Sequence, residues 1–213
     1  MTAVIIPPTN RVVLQGIHWE TYRALVQDLE SQAGKRLTYD NGMLEITMPL
    51  PPHEHYKRLL GRFVEVATEE MGIEICSLGS CTWSREVCRQ GLEPDECYYI
   101  QNELAVRGKR VIDLNVEPPP DLVIEIDITS SSLNRLAIYT ALGVPEVWRF
   151  DEQTVSIYQR GEDGYELRKS STALPLLGGA DLLRFLVESQ SMGETTLIRT
   201  FRQWVRERLA AGT

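Results

Sequence analysis

The sequence PPPDLVIEIDITSSS, residues 118–132, contains the strand on which the rest of the predicted fold depends. Leu122, Ile124 and Ile126 have the spacing of one face of a buried β-strand, because side chains alternate across a strand with a period of two. The other face then carries three carboxylates, which core packing does not explain. The residues of that face are Asp121, Val123, Glu125 and Asp127.

A row of carboxylates on a well-anchored strand suggests a metal site. A solvated face is the common interpretation of charged residues. Burying even one unpaired carboxylate costs several kcal/mol, so three need solvent, protonation, basic partners or a divalent cation. Mg²⁺ is typically held by one or two carboxylates with water and a substrate phosphate. The segment EPDECYYI, residues 93–100, brings another acid to the start of a second strand. Two adjacent strands could therefore supply one metal site.

The overall composition is that of an ordinary globular protein. The 213 residues are 43% hydrophobic and 24% charged, which is enough for one substantial core. We expect one domain over residues 1–213, with a core at about 36–170 and a C-terminal helical extension at about 180–209. The net charge of −8 disfavours tight nucleic-acid binding by bulk electrostatics, although a metal ion or a local basic surface can offset it.

The cysteines and the hydropathy pattern indicate a cytoplasmic protein. The four cysteines show no CxxC spacing, and no export signal is recognisable at the N-terminus. Reduced thiols in the cytoplasm are therefore expected. No run approaches the ~20 apolar residues that a membrane span requires, so no membrane partner is expected.

The order of the predicted elements indicates a mixed α/β fold. An Asp-Asn-Gly turn predicts a hairpin at residues 36–48, and apolar periodicity predicts an amphipathic helix at 53–71. A strand at 122–128, a helix at 132–142 and a strand at 146–150 have the spacing of a crossover unit. A mixed central sheet flanked by helices follows. The other predicted elements are a helix at 21–32, strands at 73–78, 82–84 and 95–100, a hairpin at 154–169 and a helical C-terminus from 181.

Three motifs resemble those of a known family. They are Glu-Pro-Asp at 93–95, Pro-Asp-Leu-Val-Ile-Glu at 120–125, and Gly-Val-Pro-Glu-Val-Trp at 143–148 after a helix containing Tyr139. Their order and spacing resemble the bacterial Uma2 family of proposed endonucleases, and the resemblance covers most of residues 15–170. That family is placed in the PD-(D/E)XK restriction-endonuclease-like superfamily, whose core is a mixed sheet flanked by helices, with metal-binding acids on adjacent central strands.

The resemblance implies a metal-dependent endonuclease that hydrolyses phosphodiester bonds of nucleic acid. DNA is the expected substrate, and Mg²⁺ or Mn²⁺ the expected cofactor. Carried over residue by residue, Asp95 is the first acid, Asp121 opens the acidic strand, and Glu125 is the acid of the ExK element. The predicted metal ligands are Asp95, Asp121, Glu125 and Asp127.

The sequence departs from the superfamily at the position of its lysine. Asp127 stands there, two residues after Glu125, and an acid cannot stabilise developing negative charge. The family's basic residue lies instead on the following helix, where this chain has Arg135. Arginine offers a fork of donors to phosphate, but its pKa above ~12 prevents it from acting as a general base. The alternative is a catalytically inactive binding or regulatory module that retains the fold. The predicted catalytic residues are Asp95, Asp121, Glu125 and Arg135.

Two histidines and two aromatic residues have weaker assignments. His53 and His55 flank the start of the long helix and are secondary candidates for the functional site, although a surface histidine more often has no functional role. Tyr139 and Trp148 are interpreted as core residues.

The C-terminal helix carries a basic stripe opposite an apolar one. The basic stripe, Arg199, Arg202 and Arg206, could face a nucleic-acid backbone, but a solvated face is favoured. The apolar stripe is larger than a soluble monomer usually exposes, so it predicts packing onto the core or a second subunit, with a homodimer favoured. Its members are Leu197, Phe201, Trp204 and Val205.

Overall fold

The computed structural model describes residues 10–29, 34–128 and 131–212. The elements up to residue 99 are β1 (Arg11–Leu14), α1 (Trp19–Leu29), β2 (Arg36–Asp40), β3 (Met43–Thr47), α2 (Pro51–Met71), β4 (Cys76–Ser77), β5 (Trp83–Arg85), β6 (Gln90–Leu92) and β7 (Glu96–Tyr99). The later elements are α3 (Glu103–Val106), β8 (Leu122–Ile126), α4 (Arg135–Leu142), β9 (Glu146–Phe150), β10 (Val155–Arg160), β11 (Tyr165–Arg168), α5 (Gly179–Glu188) and α6 (Glu194–Ala210).

The strands of the described segments form two sheets. The larger has the order β11-β10-β9-β8-β7-β4, and the smaller has the order β1-β3-β2-β6-β5. Strand β8 pairs parallel with β9 and antiparallel with β7, so the larger sheet is mixed. The predicted mixed α/β class is confirmed. The strands divide between two sheets because the β2–β3 hairpin pairs with β1 and β6 rather than with the larger sheet.

Strand β8 lies at the centre of the larger sheet, and all five of its residues are buried. Its apolar face, which includes Ile124, packs in one core with α2, α5 and α6. On its other face Val123 packs against Ile138 and Leu142 of α4. Because α4 connects β8 to the parallel strand β9, the predicted crossover unit is confirmed.

Local sequence signals account for the ends of the two helices nearest the site. Prolines occupy the first turn of α2, where a missing N–H is tolerated, and Gly72 ends the helix with φ of 66°. The Asn134 side chain accepts a hydrogen bond from the Ala137 N–H at the start of α4. These signals account for where α2 begins and ends and for where α4 begins.

The β2–β3 hairpin presents one apolar and one polar face. Its turn has positive φ at Asn41 and Gly42, as a two-residue hairpin turn requires, which confirms the predicted hairpin. Leu37 and Tyr39 pack against Trp19 and Tyr22 of α1. The opposite face carries polar side chains that are nevertheless buried. They are Arg36, Thr38 and Glu45.

The shortest elements differ most from the prediction. β1, β6 and α3 were not predicted, and the strand predicted at 73–78 is limited to β4. Helix α1 begins two residues before the predicted start at Thr21, and its predicted end at Gln32 lies outside the described residues.

The C-terminal helix α6 packs onto its own chain. Leu197, Phe201 and Val205 are fully buried, and the Phe201 ring lies 4.5 Å from the Phe63 ring and 5.0 Å from the Phe185 ring. Packing onto the core, one of the two predicted outcomes, is thus confirmed. Since the apolar stripe is covered within the chain, it gives no reason to expect a homodimer.

The basic stripe of α6 is largely occupied by acids of α2. Arg202 bonds to Glu69 and Glu70, and Arg206 bonds to Glu70 through two nitrogens. These pairs agree with the favoured interpretation of a solvated face. In the part of the chain that the structure covers, no helix is long and apolar enough to cross a membrane.

Candidate active site

Antiparallel pairing brings two of the predicted acids together. Glu96 of β7 lies opposite Ile124 of β8, and one further step of this register sets Asp95 opposite Glu125 on the same face. The Ile126 N–H donates to Asp95 Oδ2 at 2.6 Å, which fixes that carboxylate against the end of β8. Both acids are buried, with exposed fractions of 3% for Asp95 and 8% for Glu125.

The two acids line a cavity of about 240 Å³ between the two sheets. Its polar side includes the acids of the larger sheet and the polar face of the β2–β3 hairpin. Its apolar side includes Met48 and Leu50, both partly exposed at the connection from β3 to α2, and Ile128 after β8. The cavity therefore joins a charged interior to an apolar rim.

Arg135 forms an ion pair with Glu125. Its guanidinium donates to Glu125 Oε1 at 2.7 Å, to Thr38 Oγ1 at 2.6 Å and to the Glu93 carbonyl at 2.8 Å. Burial is the largest single influence and lowers the pKa of Arg135, but the charges and hydrogen bonds of Glu125 and Tyr139 together raise that pKa above its usual range. Arg135 thus stays protonated and links α4, both sheets and Glu125.

Tyr139 has a polar role that its assignment to the core did not include. The side chain is fully buried, yet its hydroxyl donates to Glu125 Oε1, the same oxygen that Arg135 contacts. Burial raises the pKa of this hydroxyl well above its usual range, so it remains a donor. The other oxygen, Oε2, accepts no hydrogen bond from the described residues and is available to a cation. Trp148, by contrast, is a core residue whose indole N–H donates to Glu146.

Arg36 is a site residue that the sequence analysis missed. From β2 its Nη1 pairs with Asp95 Oδ1, while its Nη2 lies 3.4 Å from Glu54 Oε1. Thr38, two residues along the same strand, accepts from Arg135. The alternation of polar and apolar residues in RLTYD was the available signal, but it is equally typical of a solvated hairpin face.

Of the two histidines, His53 belongs to the site. Its Nε2 lies 3.1 Å from Asp95 Oδ2, and its Nδ1 lies 3.3 Å from Glu54 Oε1. Burial, and then the charge of Arg36, lower the pKa of His53 to about 4. His55 is exposed, and its ring is 5.6 Å from the Tyr56 ring.

Asp127 and Glu45 also line the cavity, each with partners of its own. Asp127 pairs with Arg149 of β9, whose side chain is 42% exposed. Glu45 accepts from Ser131 Oγ at 2.6 Å and from the Ser132 N–H at 2.8 Å. These bonds fasten the segment before α4 to the smaller sheet.

Asp121 lies at the other end of β8 and does not reach the cavity. Its Oδ2 accepts from the Ile100 N–H at 2.7 Å and the Asn102 N–H at 2.9 Å, and its Oδ1 accepts from Asn102 Nδ2 at 2.5 Å. Four residues separate it from Glu125, roughly 13 Å along a strand. The prediction that Asp121 converges with Asp95 and Glu125 is therefore wrong. Its carboxylate holds the turn that follows β7.

The predicted set of four metal ligands is also corrected. Within residues 10–29, 34–128 and 131–212, no group of three or more His, Cys, Asp or Glu side chains could hold one metal ion. Asp95 and Glu125 remain as a pair. A pair of carboxylates fits the donor set of Mg²⁺, which proteins commonly bind through one or two carboxylates with water completing the shell.

The fold has a counterpart among solved structures. It is described as a "putative nuclease belonging to DUF820 from Anabaena variabilis", and it matches with a TM-score of 0.51 at 17% sequence identity. The match covers 69% of this chain and 88% of that chain. At this identity the likeness shows a shared fold.

The sequence itself matches one family model. No curated protein sequence gives a significant match. The model of the Uma2 family, described as "Putative restriction endonuclease", matches residues 19–187, which is well over half of the 213 residues. Because this match covers most of the chain, the chain belongs to the Uma2 family.

Proposed function

We propose that this protein is a metal-dependent endonuclease that hydrolyses phosphodiester bonds of nucleic acid, with DNA as its substrate. The observation that carries the proposal is the opposition of Asp95 and Glu125 across β7 and β8, inside a cavity that also contains Arg135. Two acids on adjacent strands suit a divalent cation, and the neighbouring guanidinium suits an anionic substrate. Membership of a family described as restriction endonucleases supports the same reaction class.

Asp95 and Glu125 would hold Mg²⁺ or Mn²⁺ through their carboxylate oxygens. When bound, such an ion lowers the pKa of a coordinated water and neutralises charge on a phosphoryl oxygen. The Ile126 N–H keeps Asp95 in place, and the Tyr139 hydroxyl and Arg135 keep Glu125 in place. Both acids are therefore oriented by the protein before any substrate enters.

The roles of the basic and acidic neighbours follow from their protonation. Arg135 stays charged, so it contributes positive charge and orientation rather than proton transfer. Asp127 cannot replace the missing lysine, but its pairing with Arg149 offsets the repulsion that a free carboxylate would exert on a phosphate. We keep Asp95, Glu125 and Arg135 as the proposed catalytic residues and omit Asp121.

A cleavage assay tests this proposal directly. Purified protein is incubated with single-stranded DNA, duplex DNA and RNA of one sequence, in Mg²⁺, in Mn²⁺ and in EDTA. We expect cleavage that needs the cation and is lost in Asp95→Asn and Glu125→Gln. Glu70→Gln is the matched control, because Glu70 is an acid paired with arginines away from the cavity. Cleavage that persists in EDTA, or in both site variants, would contradict the proposal.

A second candidate function, a catalytically inactive nucleic-acid-binding module, is favoured by one observation. Three acids of the cavity each pair with an arginine: Asp95 with Arg36, Glu125 with Arg135, and Asp127 with Arg149. Such a site is charge-compensated without a cation. Fluorescence anisotropy with a labelled oligonucleotide in EDTA, set beside the cleavage assay, separates the two functions. Binding without cleavage in either metal supports the inactive module.

We further propose a cytoplasmic location, since all four cysteines are free thiols.

A homodimer remains a prediction without support from α6, whose apolar stripe is covered. Light scattering of the purified protein measures the oligomeric state, and a mass near that of one 24.2 kDa chain would exclude the dimer.

A further inference from the structure

The two arginines nearest the proposed catalytic acids are held in different ways. Arg135 has two acceptors besides Glu125, namely Thr38 Oγ1 at 2.6 Å and the Glu93 carbonyl at 2.8 Å. Arg36 has Asp95 and, at 3.4 Å, Glu54 Oε1. If Glu125 released Arg135, two bonds would still hold that guanidinium in place. If Asp95 released Arg36, the remaining partner would be Glu54, whose side chain is 49% exposed.

The oxygens of Asp95 are divided between these neighbours. Oδ2 accepts from the Ile126 N–H and lies near His53 Nε2. Oδ1 faces Arg36. A cation that coordinates Asp95 needs an oxygen lone pair, and Oδ2 is already approached by two groups, the Ile126 N–H and His53 Nε2. The ion and Arg36 would therefore need the same oxygen, Oδ1.

Burial makes this competition consequential. Asp95 is 3% exposed and Arg36 is 7% exposed, so an unpaired charge on either would be costly. Burial lowers the pKa of Arg36, although nearby Glu125 and Glu54 oppose that shift. Asp95 thus requires one positive partner at a time, either the guanidinium or a metal ion. Two positive charges at one carboxylate would repel each other.

We propose that Arg36 is a positioning residue. While it pairs with Asp95 it excludes the divalent cation from that carboxylate, and the cation binds when Arg36 moves to Glu54. Arg36 neutralises Asp95 in the metal-free protein, and the arriving cation displaces it toward the exposed Glu54 side chain. Arg135 stays in place throughout, since its other two bonds do not involve the acids. This inference rests on the proposed function and adds that Arg36 sets the cation affinity of the site.

The test measures cation binding rather than cleavage. Titration calorimetry with Mn²⁺, and melting temperatures with and without Mn²⁺, are compared for the parent protein and Arg36→Gln. Arg36→Gln should melt lower in EDTA because Asp95 loses its partner. It should also bind Mn²⁺ about tenfold more tightly or better, within the usual range for coupling between two ligands, and gain more melting temperature from Mn²⁺ than the parent does. Arg206→Gln is the matched control, because it removes an arginine of α6 that pairs with Glu70 of α2 at the surface.

A second variant has the opposite expected sign. Glu54→Gln retains the Arg36–Asp95 pair but weakens the alternative partner, so it should bind Mn²⁺ several-fold more weakly than the parent, in line with a coupling of ordinary size. Glu54→Gln also tests the inference if Arg36→Gln fails to fold. Arg36→Lys, which keeps a competing charge, should stay closer to the parent than Arg36→Gln does.

The outcomes separate this inference from the proposed function. Mn²⁺ binding that Glu125→Gln abolishes establishes the cation site whether or not cleavage is seen. If that site exists but Arg36→Gln leaves the Mn²⁺ affinity unchanged, Arg36 has a purely structural role. Should Arg36→Gln not fold, an unchanged Mn²⁺ affinity in Glu54→Gln leads to the same conclusion. In either case the inference is overturned while the proposed function stands. If neither the parent nor the folded variants bind Mn²⁺, the inference and the metal-dependent function fail together.

Discussion

The two ends of β8 carry acids on the same face, yet their carboxylates are held by different kinds of partner. Asp121 accepts hydrogen bonds from the backbone and side chain of residues 100–102, which follow the neighbouring strand. Glu125 is held by the side chains of Arg135 and Tyr139, which reach it from α4. Both oxygens of Asp121 accept hydrogen bonds, whereas the donors of Glu125 both contact Oε1 and leave Oε2 available. The number of carboxylate oxygens already engaged, rather than the face of the strand, thus distinguishes Asp121 from the proposed catalytic acid Glu125.

The largest expected effect is at Arg135. Removing one member of a largely buried ion pair typically costs about 3–5 kcal/mol of unfolding free energy, because the other charge is left uncompensated. Arg135→Ala should therefore lower stability in this range as well as abolish cleavage, since it also frees Thr38 and the Glu93 carbonyl. Urea unfolding measures the change, and an unchanged midpoint would contradict the linking role of Arg135.

Glu125 should dominate activity as Arg135 dominates stability. Glu125→Gln keeps the shape of the side chain but removes its charge, so we expect cation-dependent cleavage to fall by about 10²–10³-fold, as when a charge-stabilising group is removed elsewhere. Asp121→Asn, at the other end of the strand, should cleave like the parent per folded molecule. Initial rates normalised to the folded fraction provide the measurement. Equal losses of cleavage rate in Glu125→Gln and Asp121→Asn would contradict the proposed difference between the two ends of β8.

Substitutions of Asp121 should instead lower the free energy of unfolding. Asp121→Ala leaves three donors of residues 100–102 without their acceptor, at an expected cost of about 2–3 kcal/mol. Asp121→Asn, which retains one oxygen, should cost less. Denaturant unfolding of both variants tests this order. A loss of Mn²⁺ binding in folded Asp121→Asn would return Asp121 to the proposed metal site.

The smallest effect is expected for an exposed acid paired with arginine. Hydrogen bonds from Arg206 and then Arg202 lower the pKa of Glu70 from 4.5 to about 2. A depressed carboxyl pKa stabilises the folded state above pH 4.5, and that contribution is lost as the pH falls toward 2. Arg206→Ala should thus melt slightly below the parent at neutral pH, and the difference should vanish toward pH 2. A difference that grows on acidification would have the wrong sign.

Much of the fold follows from local patterns in the sequence. The periodicity of α2, the Asn-Gly turn of the β2–β3 hairpin and the β8–α4–β9 crossover are each encoded within a few tens of residues. β1 and β6 are only four and three residues long and depend on pairing with distant strands, so no local pattern identifies them. The division into two sheets was missed for the same reason.

The site was predictable only where strand pairing determines it. Asp95 and Glu125 lie at facing ends of neighbouring strands, and the motifs around them locate both. Asp121 was misassigned because the two-residue period gives the face of a side chain but not its depth along the strand. Arg36 was missed because a charged residue in a hairpin is usually solvated, and only the docking of the two sheets buries it.

The Arg135–Thr38 hydrogen bond also has a consequence for the order of folding. It joins residues 97 positions apart in the chain, and the ion pair between Arg36 and Asp95 also spans the two sheets. Contacts of such separation carry a high loop-closure entropy and tend to form late. During synthesis the hairpin must wait until residue 135 has emerged before this bond can form. A chain truncated before α4 would have its site acids without Arg135 and Tyr139, so the complete site is a product of late folding.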